Sequence, residues 1–210
     1  MSSHAKPAKK PHAPFGNQVP FCEPAWYQNQ HSPYYNAGHI AFRAKCRAFV
    51  ETEIKPHAEA WIKSPTGYPK SLHEKAFQAG ITSVFHPPEF GGNKTPEIDA
   101  FYELIYVDEF ARAAGGFIMG QVAIDSMAMP PIVAFGSDYI KNLVCRDVAM
   151  GRKSICLCIS EPGAGSDVAN IQASAKKTAD GQHYVVNGSK KWYTISPCGV
   201  LTCVELGTAC

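Results

Sequence analysis

Between residues 41 and 150, apolar positions recur at intervals of three and four, which is the period of α-helices that bury one face. The first run extends from Phe42 to Trp61 and predicts one long helix. Pro56 lies inside this run, and we expect it to cause only a local irregularity, because a helix can tolerate the loss of one backbone hydrogen bond.

Three signals mark the limits of further helices. Residues 71–74 read Ser-Leu-His-Glu, the spacing of a capping box, so a helix is expected to begin there and to stop at Gly80. Thr95 is followed by Pro96, which is the pattern of an N-cap with proline at the first helical position. The helix that they open is expected to end at the glycine pair of residues 115–116.

Residues 117–129 are apolar nearly all round and contain a single charge, Asp125, so they predict the central helix of a bundle. Pro130 and Pro131 are expected to break the chain after it. Residues 138–150 are amphipathic again and predict the last helix of this part of the chain.

The pattern changes after Ser154, where alternation and glycine turns replace the helical period. Residues 155–159 form an apolar run that predicts a strand. Asp-Gly at residues 180–181 and Asn-Gly at residues 187–188 predict two hairpin turns of type I′. The predicted fold is therefore α+β and multi-domain, with an N-terminal all-α helical bundle followed by the beginning of an all-β middle domain.

Composition adds few constraints. The chain has 210 residues, enough for one or two domains, and its net charge of +2 does not indicate a nucleic-acid partner. Its apolar runs are shorter than the roughly 20 residues of a membrane-spanning helix. The eight cysteines have neither the spacing of a metal site nor that of a disulfide framework, so we expect no metal and a reducing, intracellular compartment.

Residues 1–36 are rich in proline, lysine, histidine and polar residues, and Glu23 is their first acid. This composition predicts a flexible N-terminal arm. A mitochondrial presequence is disfavoured, because the segment lacks arginine and an amphipathic period. The cytoplasm is therefore the favoured location, with mitochondria and peroxisomes left as alternatives.

Residues 160–167, Ser-Glu-Pro-Gly-Ala-Gly-Ser-Asp, combine hydroxyls, carboxylates and glycines in a loop that suits a polar, planar ligand. A dinucleotide-binding glycine loop is disfavoured, because Val168 occupies the position of the third glycine. Glu161 and Asp167 are either a catalytic pair or loop-fixing groups, and a tight loop favours the second interpretation. Lys190, further along, is expected to be solvated.

These residues resemble a known family. Residues 160–167 are similar to the Thr-Glu-Pro-x-x-Gly-Ser-Asp signature of the acyl-CoA dehydrogenase family of flavoproteins, with Ser160 in place of threonine. Residues 187–194, Asn-Gly-Ser-Lys-Lys-Trp-Tyr-Thr, resemble its second flavin-contacting segment. Residues 87–92 resemble its Pro-x-x-Tyr-Gly-Gly segment, with Phe90 in place of tyrosine.

The resemblance implies a domain organisation. Residues 1–36 would be the arm, residues 37–152 the helical N-terminal domain, and residues 153–194 a partial β middle domain with the flavin-contacting motifs. Residues 195–210 are interpreted as a non-matching tail. The family's catalytic glutamate belongs to a C-terminal helical domain that this chain does not reach, so no catalytic residue is assigned.

The resemblance also implies FAD as cofactor and α,β-dehydrogenation of an acyl-CoA thioester, in which a base removes the α-proton and hydride passes to the flavin. An acyl-CoA substrate, an electron-accepting flavoprotein or other acceptor, and a homo-oligomer are the implied partners. Trp192 would cover one face of the flavin, and Ser166 would contact the CoA portion of the substrate. The implied cofactor-binding residues are Leu157, Cys158, Ile159, Ser160, Ser166, Trp192, Tyr193 and Thr194.

Three interpretations remain open. The first is a truncated acyl-CoA dehydrogenase chain with little or no activity of its own, in which Glu161 and then Glu109 are the substitutes to test for the missing base. The second is a non-catalytic remnant that binds a partner or acyl-CoA. The third is an acyl-CoA oxidase or nitroalkane oxidase, since these enzymes share the fold and the flavin motifs.

Overall fold

The computed structural model describes residues 13–65, 67–113 and 127–192 and the backbone of residues 201–204. Within these ranges, α-helices precede residue 150 and β-strands follow it, which confirms the predicted fold class. The helices are α1 (Ala37–Phe49), α2 (Ala58–Lys63), α3 (Ser71–Gln78), α4 (Ala100–Ala111), α5 (Met129–Phe135) and α6 (Asp138–Ala149). The strands are β1 (Ile155–Cys158), β2 (Ser174–Lys177), β3 (Tyr184–Asn187) and β4 (Leu201–Val204). None of the described helices is long and apolar enough to cross a membrane.

The helix predicted from Phe42 to Trp61 is divided into pieces. A π-helical turn, Val50–Ile54, follows α1 directly, and α2 begins only at Ala58. Pro56 lies between these two pieces, and proline has no N–H group with which to continue the helical ladder. The expected irregularity is therefore a break, although the apolar face of the run still packs into one core.

One predicted helix start is confirmed and the other is wrong. α3 begins at Ser71 as predicted, but the capping box expected there does not form, because Lys70 occupies the N-cap position and its side chain makes no capping hydrogen bond. α4 begins directly after Asp99, whose carboxylate accepts a hydrogen bond from the N–H group of Phe101 at 2.9 Å. Thr95, the predicted N-cap, lies before the turn that leads to α4. The carboxylate of Asp99 takes the capping role that was expected of the Thr95 hydroxyl.

The predicted central helix, residues 117–129, lies outside the described residues except for its last residues, and so does the helix end expected at residues 115–116. Pro130 and Pro131 do not break the chain. They occupy the first turn of α5, where a missing N–H group removes no helical hydrogen bond. The amphipathic pattern after them is confirmed as α6, which is capped by the hydroxyl of Ser137.

Two apolar clusters form the core of the described structure. The first lies between α1 and α4 and also contains side chains of α3. The second joins α3, α5 and α6 to the first residue of β1, Ile155, which is almost fully buried. Because Ile155 belongs to the helical core, β1 is anchored on the helices, and this anchoring fixes the start of the loop that follows it.

β1 pairs with β4 in parallel, and β2 pairs with β3 in antiparallel orientation. The Asp-Gly hairpin prediction is confirmed between β2 and β3, but only Gly181 of the dipeptide has a positive φ, so the turn is not of type I′. Instead, the hydroxyl of Thr178 accepts a hydrogen bond from the N–H group of His183 at 3.1 Å and closes a longer loop. The second predicted turn does not form among the described residues, since Asn187 ends β3 and β4 lies beside β1.

The segment before α1 packs on the helices. Tyr27 is 2% exposed, and its hydroxyl donates a hydrogen bond to Oε1 of Glu109 at 2.6 Å. Cζ of Arg43 lies 4.0 Å from the ring centroid of Phe15 and 4.4 Å from that of Tyr27. These contacts correct the prediction of a flexible arm for residues 13–36. The arginine of α1 attracts the aromatic rings of this segment, and composition alone does not show that they contact it.

Arg47 binds two carboxylates where this segment meets α1 and α4. Its Nε donates to Glu109, its Nη2 donates to Oε1 of Glu109 at 3.0 Å, and its Nη1 donates to Oε1 of Glu23 at 3.1 Å. The side chains of both glutamates are buried, so their charges depend on arginine for compensation. Burial alone would lower the pKa of Arg47, but the carboxylates of Glu109 and Glu23 outweigh it and raise that pKa.

Replacing the central arginine of this network tests its contribution. We expect Arg47→Met to lower the free energy of unfolding by about 3 kcal/mol, because it leaves the buried carboxylate of Glu109 without its main counter-charge. Urea denaturation followed by circular dichroism measures the change. Lys55→Met breaks an exposed pair with Glu51 and is the control, with an expected loss below about 0.5 kcal/mol. Equal losses in the two variants would contradict the prediction.

Candidate functional site

The candidate site begins at β1. Ile155 and Leu157 pack against the helical core. Cys156 and Cys158 lie on the opposite face, because successive side chains of a strand alternate. β1 therefore lies at the boundary between the helical part and the β part, and the loop after Cys158 leaves from this boundary.

The loop opens with a tight turn. The N–H group of Glu161 donates to the carbonyl of Ala164 at 2.9 Å, and the N–H group of Ala164 donates back to the carbonyl of Glu161 at 3.1 Å. Pro162 and Gly163 lie at its exposed tip. The turn brings the side chain of Glu161 back toward the protein, where it is buried.

The carboxylate of Glu161 joins three segments of the chain. Oε2 accepts a hydrogen bond from the N–H group of Gln172 at 2.8 Å, and Oε1 accepts one from that of Ala173 at 2.9 Å. Nζ of Lys190 lies 3.0 Å from Oε1. These contacts confirm the interpretation of Glu161 as a loop-fixing group.

The same contacts set the charge of Glu161. The N–H group of Gln172 lowers the pKa of this carboxyl, and the N–H group of Ala173 and the ammonium group of Lys190 add to the effect, which outweighs that of burial. The folded chain therefore prefers the carboxylate form.

Lys190 is largely buried, with 10% of its side chain exposed, which corrects the expectation of a solvated lysine. Its Nζ donates to the carbonyl of Ile159 at 2.9 Å as well as binding Glu161. The N–H group of Lys191 donates to the carbonyl of Ser160 at 2.8 Å. We call these contacts, with those of Glu161 to Gln172 and Ala173, the Glu161–Lys190 clamp.

Trp192 follows the clamp directly and has an unusual backbone. Its φ is 67°, in the left-handed region, and the residue is 79% exposed. Nζ of Lys191 lies 4.6 Å from the ring centroid. A bulky residue in this conformation costs on the order of 1–3 kcal/mol, and such strain is concentrated at ligand-binding sites. The clamp therefore presents an aromatic ring beside the loop that contains Ser160.

The structure brings together part of the predicted site. The clamp holds Ser160 close to the backbone that carries Trp192, and residues 157–159 lead directly into it. Ser166 lies on an exposed stretch after the tight turn and takes part in none of the clamp contacts. Residues 193–194 of the predicted site, Tyr193 and Thr194, lie outside the described residues.

The carboxylates that the sequence offers as proton acceptors are engaged elsewhere. Glu161 binds the clamp, and Glu109 is fully buried against Arg47 and the hydroxyl of Tyr27. Asp167 is exposed, and its side chain makes no capping hydrogen bond to the short helix after it. Of the two loop carboxylates, Glu161 and Asp167, the loop-fixing interpretation therefore applies to Glu161. Among the described residues, no group of three or more His, Cys, Asp and Glu side chains could hold a metal ion.

Sequence reasoning missed Lys190 and the two backbone N–H groups that bind Glu161. A lysine within a polar stretch resembles a solvated one, and its partner Glu161 belongs to a different motif. Backbone donors at Gln172 and Ala173 carry no side-chain signal. The only available signal was that Lys190 falls inside the second segment with a family resemblance.

Comparisons with known proteins follow the same division of the chain. The sequence family described as acyl-CoA dehydrogenase, N-terminal domain, matches residues 36–152, and acyl-CoA dehydrogenase, middle domain, matches residues 156–205. The second match extends beyond Thr194, into residues interpreted above as a tail. The proposed domain limits themselves stay a prediction.

Individual relatives agree with these matches. Acyl-CoA dehydrogenase apdG of Emericella nidulans is 35% identical over 85% of this chain and 44% of its own length. The crystal structure of an acyl-CoA dehydrogenase from Geobacillus kaustophilus has a TM-score of 0.74 and 28% identity, over 85% of this chain and 45% of its own. One from Bacillus anthracis, complexed with FAD, has a TM-score of 0.73 and 27% identity, over 84% of this chain and 30% of its own. The chain thus spans less than half the length of these relatives.

The lowered pKa of Glu161 predicts how the clamp responds to acid. The stability that Glu161 contributes is present above its ordinary pKa of 4.5 and is lost as the pH falls through the lower, folded value. We expect the amide protection factors of Gln172 and Ala173 to be constant near neutral pH and to fall only below pH 4.5, as measured by hydrogen exchange with NMR.

Two variants control this measurement. Glu161→Gln is expected to lower the protection at every pH and to remove its acid transition, because an amide does not titrate. Asp167→Asn, a change of an exposed carboxylate in the same loop, is expected to leave the profile unchanged. An acid transition that survives in Glu161→Gln would show that another group controls the clamp.

Proposed function

The chain belongs to the acyl-CoA dehydrogenase family, and we propose that it builds part of an FAD site in an enzyme that removes the α- and β-hydrogens of an acyl-CoA thioester. One observation carries the proposal. Two segments resemble the flavin-contacting motifs of the family, and the Glu161–Lys190 clamp holds these two segments together.

The residues at the clamp fit a flavin in their chemistry. Ser160 offers a hydroxyl, residues 157–159 offer backbone donors and acceptors, and Trp192 offers an exposed aromatic ring. When bound, FAD accepts the hydride that leaves the substrate. In this proposal Ser160 binds the polar edge of the ring system and Trp192 covers one face of it, while residues 193–194 extend the contact.

The role of the clamp is to position these groups before the ligand arrives. Lys190 holds the carbonyl of Ile159, and Glu161 holds the N–H groups of Gln172 and Ala173, so the loop loses little further freedom on binding. Fixed positions matter because alignment of the reacting groups supplies a large part of catalysis.

The substrate and partners are also proposed. Ser166, on the exposed stretch after the tight turn, would contact the CoA portion of an acyl-CoA. An electron-accepting flavoprotein or another acceptor would reoxidise the cofactor, and the enzyme would assemble as a homo-oligomer. A reducing, intracellular compartment suits this chemistry and stays a proposal.

A second candidate function is acyl-CoA or partner binding without turnover. It is favoured by the state of Glu161 and Glu109, whose carboxylates are both occupied by hydrogen bonds and ion pairs. Neither group can accept the α-proton of a substrate without breaking the contacts that hold the fold.

Flavin binding by the 210-residue chain tests the role of Trp192. We expect Trp192→Ala to weaken FAD binding by about 2-fold to 12-fold, since one aromatic contact contributes about 0.5–1.5 kcal/mol beyond its buried area. Isothermal titration calorimetry and the flavin absorbance spectrum provide the readout. Tyr184→Ala changes another exposed aromatic residue of the β part and is the control, with unchanged affinity expected. If Trp192→Ala binds FAD like the parent chain, Trp192 is not part of the site.

The occupied carboxylates predict that the 210-residue chain does not turn over. General-base catalysis is worth about 10²–10⁴ in rate, and neither Glu161 nor Glu109 is available to provide it. We expect no reduction of an artificial electron acceptor with short, medium or long acyl-CoAs and excess FAD. Saturable turnover that Glu161→Gln abolishes would make Glu161 the base. If Glu161→Gln leaves the turnover intact, the same substitution would next be made at Glu109.

A further inference from the structure

Asn187 and Gly188 form a dipeptide with a reactivity of its own. Of the seven asparagines in the sequence, Asn187 alone is followed by glycine. The backbone nitrogen of a glycine reaches the side chain before it without hindrance, because glycine has no Cβ. This nitrogen can attack the side-chain amide of the asparagine and close a cyclic imide, which water then opens to an acid.

The structure leaves this dipeptide accessible. Asn187 is the last residue of β3 and is exposed, and Gly188 after it has a φ of 146°. With the described residues, the side-chain amide of Asn187 makes no hydrogen bond. The imide closes when the end of β3 opens, since a side chain in a closed strand stands away from the backbone. Opening is easy, because β2 and β3 form a two-stranded sheet of marginal stability.

A second dipeptide of related chemistry, Asp180-Gly181, is held differently. The carboxylate of Asp180 accepts hydrogen bonds from the hydroxyl of Thr178 and, at 3.1 Å, from the N–H group of Gln182. The hydroxyl of Thr178 lowers the pKa of Asp180 most. The carboxylate form is therefore favoured, and a carboxylate has no good leaving group for imide formation. The structure thus favours Asn187 as the reactive position.

The reaction at Asn187 affects the Glu161–Lys190 clamp through Gly188. A Cβ atom added at Gly188 would lie 2.5 Å from Cβ of Ala173, so these two backbones are in close contact. The N–H group of Ala173 binds Glu161, and Lys190 follows Gly188 by two residues. When water opens the imide at its backbone carbonyl, the product is isoaspartate, in which the side-chain methylene has become part of the main chain. The longer main chain displaces Gly188 and Lys190 from Ala173 and Glu161.

We infer that Asn187-Gly188 is a site of spontaneous deamidation and that its isoaspartate product opens the Glu161–Lys190 clamp. The reaction balances with water as its co-reactant. The nitrogen of Gly188 loses its proton and bonds to Cγ of Asn187, ammonia leaves, and water then breaks one carbon–nitrogen bond of the imide. No electron is transferred. Neither step involves FAD, so the site does not depend on the proposed cofactor.

Peptide mapping of the aged 210-residue chain tests the site. The chain is incubated in mildly alkaline buffer, and a fresh sample digested in parallel controls for deamidation during digestion. Trypsin cleavage after Lys177 and Lys190 gives peptide 178–190, whose only asparagine is Asn187. We expect this peptide to gain the mass of an amide-to-acid conversion at Asn187 and to become a substrate of an isoaspartate-specific methyltransferase. Conversion no faster than at Asn170, which is exposed but precedes isoleucine, would overturn the inference.

Asn187→Gln is the matched variant for the chemistry. Its longer side chain keeps the amide but closes a larger and less favourable ring, so we expect aged peptide 178–190 to stay unconverted. An acid form that still accumulates in this peptide would show that another residue reacts. Because mapping of the unaltered chain gives its own result, the site remains testable if the variant fails to fold.

Hydrogen exchange measured by NMR tests the effect on the clamp. In the aged chain enriched in isoaspartate, the amide protection of Gln172 and Ala173 should fall about 10-fold to 100-fold, the equivalent of losing one hydrogen bond to a charged group. Freshly purified Asn187→Asp carries the new charge on a main chain of normal length. It should keep its protection, since an exposed charge is screened by salt. Full protection in the isoaspartate form, or equal loss in Asn187→Asp, would refute opening of the clamp by the longer main chain.

Discussion

The contact between the carboxylate of Glu161 and the ammonium group of Lys190 is the interaction on which the site depends. Both side chains are largely withdrawn from water, so each charge requires the other and the hydrogen bonds around the pair. Lys190 also binds the carbonyl of Ile159, and Glu161 also binds two backbone N–H groups. The ion pair and these hydrogen bonds thus join three segments of the chain. Without the ion pair, the loop would keep its tight turn, but only the hydrogen bonds from Lys190 to Ile159 and from Lys191 to Ser160 would still join it to the segment that carries Trp192.

The helical part contributes a different kind of constraint. Its core consists of two apolar clusters, and Ile155 extends the second of them into the first strand. β2 and β3 form a two-stranded sheet whose side chains Tyr184, Val185 and Val186 are exposed, and such a sheet is marginally stable by itself. The conformation of the loop after β1 therefore depends on two constraints. Its start is fixed by the anchored strand β1, and its remainder is held by the Glu161–Lys190 clamp.

A second ionic network, around Arg47, shows the same principle in the helical part. It joins the segment before α1 to α4 through Glu23 and Glu109, as the clamp joins the loop to residues 190–191. In both places a long cationic side chain meets carboxylates that have been removed from water. Buried pairs of this kind contribute little net stability compared with apolar residues, but losing one partner is costly. They therefore define which segments meet.

The sequence by itself determined the order of helices and strands, the family resemblance and the residues of the loop, because these follow from local periodicity and from motifs. It placed α6 and the start of α3 correctly and misplaced the start of α4, since a cap depends on which polar side chain reaches the first N–H groups. Only the tertiary structure decided that Lys190 is buried, that Trp192 has a left-handed backbone and that residues 13–36 are docked. The physical reason is the same in each case: the surroundings of these residues are made by partners distant in the chain, and a charge or a ring is solvated or buried according to those partners.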